Sequence, residues 1–164
     1  MLDSLKLTNF ERSLFIIKPD AYKYKIEILD ELRKNNFELQ YIKDVILNED
    51  FLNKLYSAEN DEFTNLMNVE YFSGKTATIG IAAGEDCKVR LFKICGDTYI
   101  PDKCDKNSIR YKYSEIREPI LLHGCEFYIN AIHRSLPQDA EKEIELYMNE
   151  YIRNSMREVD VVER

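Results

Sequence analysis

Residues near the two ends of this chain have the types and spacing needed to move a phosphate group. His133, one of two histidines in the sequence, ends an apolar run, and the carboxylate of Glu143 lies one helical element further on. Neutral imidazole is nucleophilic near pH 7, and a carboxylate on its second nitrogen fixes the tautomer. Near the N-terminus, Lys18 follows a short apolar strand, which would aim its ammonium at the end of the sheet. The pattern indicates a histidine that accepts a phosphate beside a lysine that binds it.

The residues around these two side chains form two signatures. Alone, a strand histidine is more often structural, and a lysine after a strand is usually solvated. Residues 130–135 (Asn-Ala-Ile-His-Arg-Ser) and 140–144 (Ala-Glu-Lys-Glu-Ile) resemble the active-site signature of nucleoside diphosphate kinases, Asn-x-x-His-Gly-Ser-Asp before an Ala-Glu-Lys-Glu-Ile-like helix. Residues 11–20 resemble that family's first strand and its Lys-Pro-Asp element. With both signatures in the family's order, the chain resembles a divergent member of it.

The resemblance implies a catalytic set around the histidine. His133 accepts the phosphate, and Glu143 hydrogen-bonds the imidazole nitrogen that does not attack. The alternative for Glu143 is a solvated helix glutamate. Lys18 meets the transferred phosphate and the sugar hydroxyl, Tyr56 lies near the histidine, and Ser135 matches the signature serine.

A nucleotide-binding set is also implied, to which the same lysine belongs. Phe63 matches the aromatic residue that stacks on the base, with a core contact of a short helix as the alternative, and Phe127 supplies the opposite face of the base slot. Thr98 and Arg110 match elements that hold the distal phosphates. Asn130 matches the amide that contacts the sugar hydroxyl.

Three positions depart from the family pattern. Phe92 stands where the family has an arginine, four residues before a glycine, so that a phosphate-binding guanidinium is lost. Either Arg90 or Lys93 could compensate. An arginine restored at position 92 should tighten nucleotide binding, unless Phe92 is a packing residue in a remodelled site.

The other two departures follow the histidine. Arg134 replaces a small residue, and it either narrows the site or adds a phosphate contact. Leu136 replaces an aspartate.

Residues 111–126 are an insertion before the active-site histidine, relative to the family spacing. The segment could reshape or partly cover the nucleotide pocket. It contains the second histidine, His123, which is followed by glycine as in the family signature. Because His123 lacks an asparagine three residues before it and a glutamate-bearing helix behind it, we assign it to a loop.

Composition limits the classes of protein that the chain can belong to. The net charge of −7 gives no strong nucleic-acid signal, because such binding needs basic surface. No apolar run approaches the ~20 residues that cross a bilayer, and no signal peptide is evident, so we expect a cytoplasmic protein. The four cysteines have no metal-ligand spacing and indicate reduced thiols, not a zinc site. They are Cys87, Cys95, Cys104 and Cys125.

Hydrophobic periodicity predicts two βαβ units with extra short helices. We expect one domain over residues 1–164, with a core at about 11–148 and a charged tail at 153–164. The fold class is α/β (α+β), a ferredoxin-like split βαβ with a four-stranded antiparallel sheet covered by helices. The predicted strands are 13–17, 37–47, 75–83 and 127–132, and the predicted helices are 25–34, 50–56, 61–71, 87–95 and 138–151, with a long loop at 96–112.

The expected function is that of a nucleoside diphosphate kinase. A ping-pong route would pass the γ-phosphate of a nucleoside triphosphate such as ATP to a nucleoside diphosphate through a phosphohistidine. The resemblance implies Mg²⁺ bound through the nucleotide phosphates, no metal held by the protein itself, and a homo-oligomer, either a hexamer or a tetramer. The alternative is a nucleotide-binding or scaffold member of the family with weak or no kinase activity.

Overall fold

The apolar run in the first strand lies at the centre of the protein. Strand β1 (Phe10–Ile17) buries Leu14 and Ile16 against one set of helices and Phe15 and Ile17 against another. A strand buried on both faces needs such a continuous apolar run, because successive side chains point to opposite sides of the sheet. The computed structural model describes residues 9–56 and 61–154.

Strand β1 belongs to a four-stranded antiparallel sheet of the expected ferredoxin-like topology. Its strands are β1, β2 (Glu38–Ile46), β3 (Thr76–Glu85) and β6 (Ile132–Arg134), in the order β2-β3-β1-β6. The pairing of β1 with β6 places Ile16 opposite His133. The register therefore brings the residues that follow β1 beside the residues that precede β6.

Helices cover both faces of the sheet. They are α1 (Lys25–Lys34), α2 (Glu49–Tyr56), α3 (Glu62–Phe72), α4 (Cys87–Cys95), α5 (Ile109–Tyr113) and α6 (Ala140–Tyr147). Helices α2, α3 and α6 contribute to one apolar cluster, and α1, α4 and α5 to the other. Short 3-10 turns occur at Pro19–Tyr24, Pro101–Lys103 and Pro137–Asp139. The first three predicted strands and the first four predicted helices are found within a few residues of their predicted bounds.

The fourth predicted strand, 127–132, is displaced towards the C-terminus. Strand β6 begins at Ile132, because the residues before it are engaged elsewhere. The backbone N–H of Ala131 donates to Ser114 Oγ at 2.9 Å instead of to a neighbouring strand. Phe127 ends strand β5, which belongs to another sheet. His133 consequently lies within the strand.

The second half of the inserted segment, together with Phe127, folds into a β-hairpin that the hydrophobic pattern does not predict. Strand β4 (Ile120–Leu122) pairs with β5 (Cys125–Phe127) in a separate two-stranded sheet. The turn consists of His123 and Gly124, with φ values of 51° and 79°. Positive φ at both central residues is the feature of a type I′ turn, which matches the twist of the paired strands.

Two other segments are more structured, or structured differently, than predicted. The loop expected at 96–112 contains the 3-10 turn Pro101–Lys103 and the start of α5. The last predicted helix, 138–151, is an α-helix to Tyr147, followed by a π-helical segment at Met148–Arg153. The polar turn between α2 and α3 and most of the predicted tail fall on 57–60 and 155–164, outside the described residues. No helix in the described part of the chain is long and apolar enough to span a membrane.

Candidate active site

His133 and Glu143 form a buried pair at the centre of the site. Strand β6 presents the imidazole towards α6, whose first turn supplies the carboxylate. Nε2 of His133 lies 2.7 Å from Oε1 of Glu143. The hydroxyl of Ser135 donates to the same oxygen at 2.7 Å, and its backbone N–H donates to Leu14 O at 3.0 Å. The carboxylate is thus held by two neighbours, and Nδ1 is the ring nitrogen outside this pair.

Burial keeps the imidazole neutral. Desolvation lowers the pKa of His133 below its usual value of 6.5, and the carboxylate of Glu143 opposes this shift. The positive charges of Lys18 and Arg134 lower the pKa further. The ring of Tyr56 meets the imidazole edge-on, with the ring centroids 5.9 Å apart. A neutral imidazole with one nitrogen fixed by a carboxylate is suited to nucleophilic attack.

Lys18 is a buried cation at the end of β1. Its backbone N–H donates to Ala131 O at 2.9 Å, and its Nζ donates to Asn130 Oδ1 at 3.0 Å. Burial and the charge of Arg110 lower the pKa of Lys18 to about 7, while Asp20 raises it and Arg134 lowers it. The amine of Lys18 is therefore protonated most readily when an anion lies beside it.

The amide of Asn130 joins this lysine to the loop after α4. Its Oδ1 accepts from Lys18, and its Nδ2 donates to Tyr99 O at 3.1 Å. Asn130 is buried, so both ends of its side chain are satisfied by the protein. The predicted sugar-binding asparagine is thus placed next to the predicted phosphate-binding lysine.

Arg110 organises the loop that contains Thr98. The guanidinium donates to Ile132 O at 3.0 Å, Thr98 O at 2.8 Å and Gly96 O at 3.3 Å. Burial and Arg134 lower the pKa of Arg110 to about 10. A side chain at Gly96 could not be accommodated, because its φ is +126° and a Cβ would lie 2.9 Å from Cδ of Arg110. The absence of a side chain at Gly96 therefore allows the Arg110 side chain to pack directly against the backbone of the loop.

These side chains line one cleft of about 670 Å³, formed by the end of the sheet, α3, the loop after α4 and the inserted hairpin. Of the predicted site residues, the cleft brings together Lys18, Tyr56, Thr98, Arg110, Phe127, Asn130 and His133. Glu143 and Ser135 lie behind the imidazole. Phe63 is 44% exposed on α3 and is not among the described residues that line the cleft.

Comparisons with known proteins agree with this geometry. Residues 11–152 match the family model "Nucleoside diphosphate kinase". The chain belongs to this family. The predicted family and enzyme class are thereby confirmed, as is the predicted fold. No curated protein sequence matches the chain significantly.

Three solved structures show how closely the chain follows the family fold. The nucleoside diphosphate kinase of Aquifex aeolicus is 26% identical, with a TM-score of 0.70 over 84% of this chain and 94% of that one. That of Borrelia burgdorferi, a transition-state mimic with bound vanadate and ADP, is 21% identical, with a TM-score of 0.72 over 84% and 86%. That of Encephalitozoon cuniculi is 25% identical, with a TM-score of 0.65 over 84% and 88%.

Two of the three departures from the family pattern, Phe92 and Arg134, are in contact. The guanidinium carbon of Arg134 lies 4.1 Å from the centre of the Phe92 ring, and its Nη2 donates to Gly96 O at 3.1 Å. Arg134 lines the cleft. Arg90 and Lys93, the two cations that could replace the missing guanidinium, are not among the described residues that line this cleft. Arg90 binds the backbone oxygens of Glu85 and Asn35, and Lys93 lines a separate depression beside α1.

Two tyrosines at the open end of the cleft were not singled out from the sequence. Tyr99 and Tyr128 both line it, with ring centroids 5.9 Å apart in an edge-to-face arrangement. For Tyr128, the sequence signal is its position next to Phe127, the aromatic residue assigned to the base slot. His123 is not among the described residues that line the cleft; its Nε2 lies 2.7 Å from a carboxylate oxygen of Glu70 in an exposed contact.

Asp61, Asp97 and Glu126 are the described carboxylates that line the cleft. Across residues 9–56 and 61–154, no group of three or more His, Cys, Asp or Glu side chains could hold a metal ion. A magnesium ion bound through nucleotide phosphates needs few protein ligands. A metal ion that arrives with the nucleotide is compatible with this cleft.

Proposed function

We propose that this chain transfers the γ-phosphate of a nucleoside triphosphate to a nucleoside diphosphate through a phosphohistidine at His133. The observation that carries the proposal is the buried Nε2–Glu143 hydrogen bond of 2.7 Å, which leaves Nδ1 as the nucleophile. The imidazole lies in a cleft that Lys18, Arg110 and Arg134 also line. A neutral nucleophile surrounded by cations suits an attack on a phosphoryl group.

The transfer has two half-reactions. In the first, the lone pair of His133 Nδ1 forms a bond to the γ-phosphorus, and the bond from that phosphorus to the β,γ-bridging oxygen breaks. The nucleoside diphosphate leaves with the bonding electrons. In the second, a terminal oxygen of another diphosphate attacks the phosphohistidine, and the N–P bond breaks. The Nε2 proton stays between the imidazole and Glu143 throughout both half-reactions. The negative charge of Glu143 stabilises the positive charge that develops on the ring.

The remaining polar residues position the phosphates. Lys18 faces the transferred group, and Asn130 holds its ammonium in place. Arg110 holds the loop of Thr98, so that the loop and the guanidinium can bind phosphate oxygens together. Hydrogen bonds from charged donors to phosphate are short and about twice as strong as neutral ones. Positioning and electrostatics supply most of the catalysis in phosphoryl transfer.

The substrates follow from membership of the family. We take them to be nucleoside di- and triphosphates, with ATP as a donor, and Mg²⁺ would enter the site bound through their phosphates. The ion would neutralise part of the phosphate charge. A homo-oligomer and a cytoplasmic location belong to the same proposal, as does a single functional domain over residues 1–164.

The experiment is incubation with γ-labelled ATP, followed by addition of unlabelled GDP. We expect an acid-labile label on the protein that moves to GDP. The variant His133→Ala should take up no label, and the matched control His123→Ala should behave as the parent, because its imidazole is exposed beside Glu70. Label retained by His133→Ala would refute the assignment. Tight nucleotide binding without label would favour the alternative, a nucleotide-binding member without kinase activity.

A further inference from the structure

Arg134 occupies an unusual position for a strand residue. It follows His133 in β6 and projects to the opposite face of the sheet, towards α4 and Gly96. Only 8% of its surface is exposed. Withdrawing a guanidinium from water is costly unless the protein or a ligand compensates the charge. The place of this charge beside the cleft that it lines is the observation from which its role is inferred.

The guanidinium of Arg134 contacts an aromatic ring and a backbone carbonyl. The Phe92 ring lies 4.1 Å from the guanidinium carbon, and the Gly96 carbonyl accepts a hydrogen bond from Nη2. Stacking on an aromatic face fixes the plane of a guanidinium, which lowers the entropy lost when it binds a planar or tetrahedral oxyanion. The same carbonyl accepts from Arg110, so both guanidinium groups contact one oxygen.

Positive charge accumulates at this end of the cleft. Lys18, Arg110 and Arg134 line it beside His133, and each of the first two has its pKa lowered in part by Arg134. Like charges placed together in a buried site repel one another until an anion binds between them. A polyphosphate chain carries several negative oxygens and would relieve this repulsion. Asp97, which also lines the cleft, is exposed at its edge.

We propose that Arg134, supported by the ring of Phe92, binds the phosphates of the nucleotide next to His133. The guanidinium enters the site from the strand of the nucleophile, and α4 contributes an aromatic support in place of a cation. The Arg134–Phe92 pair is therefore one functional unit, and Phe92 is a positioning residue. This inference rests on the proposed function of the cleft.

The first test measures AMP, ADP and ATP binding to the parent and to three variants by calorimetry. Arg134→Ala should weaken ADP and ATP binding by about 10- to 100-fold, and AMP binding much less. Arg134→Lys should recover part of the loss, because an ammonium keeps the charge without the planar fork. Lys93→Ala is the matched control, an exposed cation on the helix of Phe92, and should leave all three affinities within about twofold of the parent.

The second test exchanges the two positions. Phe92→Leu keeps an apolar side chain but removes the flat ring, and should weaken ADP binding by about threefold. Phe92→Arg alone should not tighten binding, contrary to the expectation from the family pattern, because it removes the support and adds a like charge beside Arg134. The double variant Phe92→Arg/Arg134→Gly supplies a guanidinium from α4, and should bind ADP more tightly than Arg134→Gly alone.

The outcomes separate this inference from the proposed function. If the parent binds ADP and phosphorylates His133 but Arg134→Ala binds ADP as tightly, the inference is wrong and the proposed function stands. If Arg134→Lys and Phe92→Leu lower the melting temperature with no change in ADP affinity, the pair is structural and the inference is again wrong. If the parent binds no ADP, both fail together.

Discussion

The two ends of the cleft are constructed in different ways. At the phosphate end, His133, Lys18 and Asn130 are buried, and each is held by a hydrogen bond to another buried group. At the open end, Tyr99 is 62% exposed, and Tyr128 follows the inserted hairpin. Preorganised polar groups stabilise a transition state because they need not reorganise as charge develops. The difference indicates that the chemistry depends on the rigid end, and that the open end tolerates change.

The largest effect after loss of the histidine should come from Lys18→Met. Methionine is similar in length but supplies neither the charge nor the hydrogen bond to phosphate. Losing an interaction with a charged group of about 1.5–3 kcal/mol corresponds to a fall in kcat/KM of roughly 10- to 150-fold. Steady-state assays would measure it. Lys23→Met removes an exposed ammonium that pairs with Glu115, and should leave kcat/KM within about twofold.

A smaller loss is expected from Glu143→Gln. Glutamine can accept the same hydrogen bonds from His133 and Ser135, but it carries no charge to balance the imidazole during transfer. We expect single-turnover phosphorylation to slow by about tenfold or more, with ADP affinity nearly unchanged. The neighbouring Glu141→Gln is the control, because that carboxylate is exposed in a pair with Lys88. An unaltered rate would return Glu143 to a structural role.

The pH dependence of ADP binding should show whether the ammonium of Lys18, at the phosphate end of the cleft, contacts the nucleotide. Because its pKa in the free protein is about 7, the side chain is mostly neutral at pH 9. Binding of an anion that requires the ammonium must then be accompanied by uptake of a proton at Lys18. ADP affinity should therefore fall by roughly 10- to 30-fold between pH 7.5 and 9, as the protonated fraction of Lys18 falls. Calorimetry in two buffers of different ionisation enthalpy would measure the proton uptake. Lys18→Met should show neither effect, and a flat profile in the parent would contradict the assignment.

The same shift has a defined effect on stability. The unfolded chain keeps the ordinary lysine pKa of 10.5, so between pH 7 and pH 10.5 it binds more protons at this residue than the folded chain does. The contribution of Lys18 to the free energy of unfolding therefore rises with pH across that window, and it is most unfavourable below pH 7. Replacement by methionine should stabilise the protein more at pH 6.5 than at pH 9. Thermal melts at both values would test the sign.

How much the sequence predicts also differs between the two ends. The family resemblance of the signatures around Lys18 and His133 predicts the ferredoxin-like sheet, and most of the residues that it implies for the site line one cleft. The apolar pattern independently predicts the strand before Lys18, because a strand buried on both faces needs a continuous apolar run. The sequence could not pair Arg134 with Phe92, since the contact joins a strand to a helix far away in the chain. The hairpin was missed although His123-Gly124 between short β-forming runs is a turn signal. Its strands are only three residues long, below the length at which alternation is informative.

The smallest effect should distinguish the aromatic residues of the open end. The family resemblance assigns base stacking to Phe63, whereas the cleft is lined by Tyr128 and its neighbour Tyr99. We expect Tyr128→Ala to weaken ADP binding by about three- to fivefold, because a stacked ring contributes about 1 kcal/mol or more, and Phe63→Ala to change it less than twofold. Both variants should keep the single-turnover rate at saturating nucleotide, because neither ring contacts the imidazole. Comparing ADP with tripolyphosphate separates base contacts from phosphate contacts, since tripolyphosphate has no base to stack. If Phe63→Ala instead has the larger effect, and on ADP alone, then α3 moves towards the cleft when nucleotide binds and Phe63 stacks on the base as the family pattern implies.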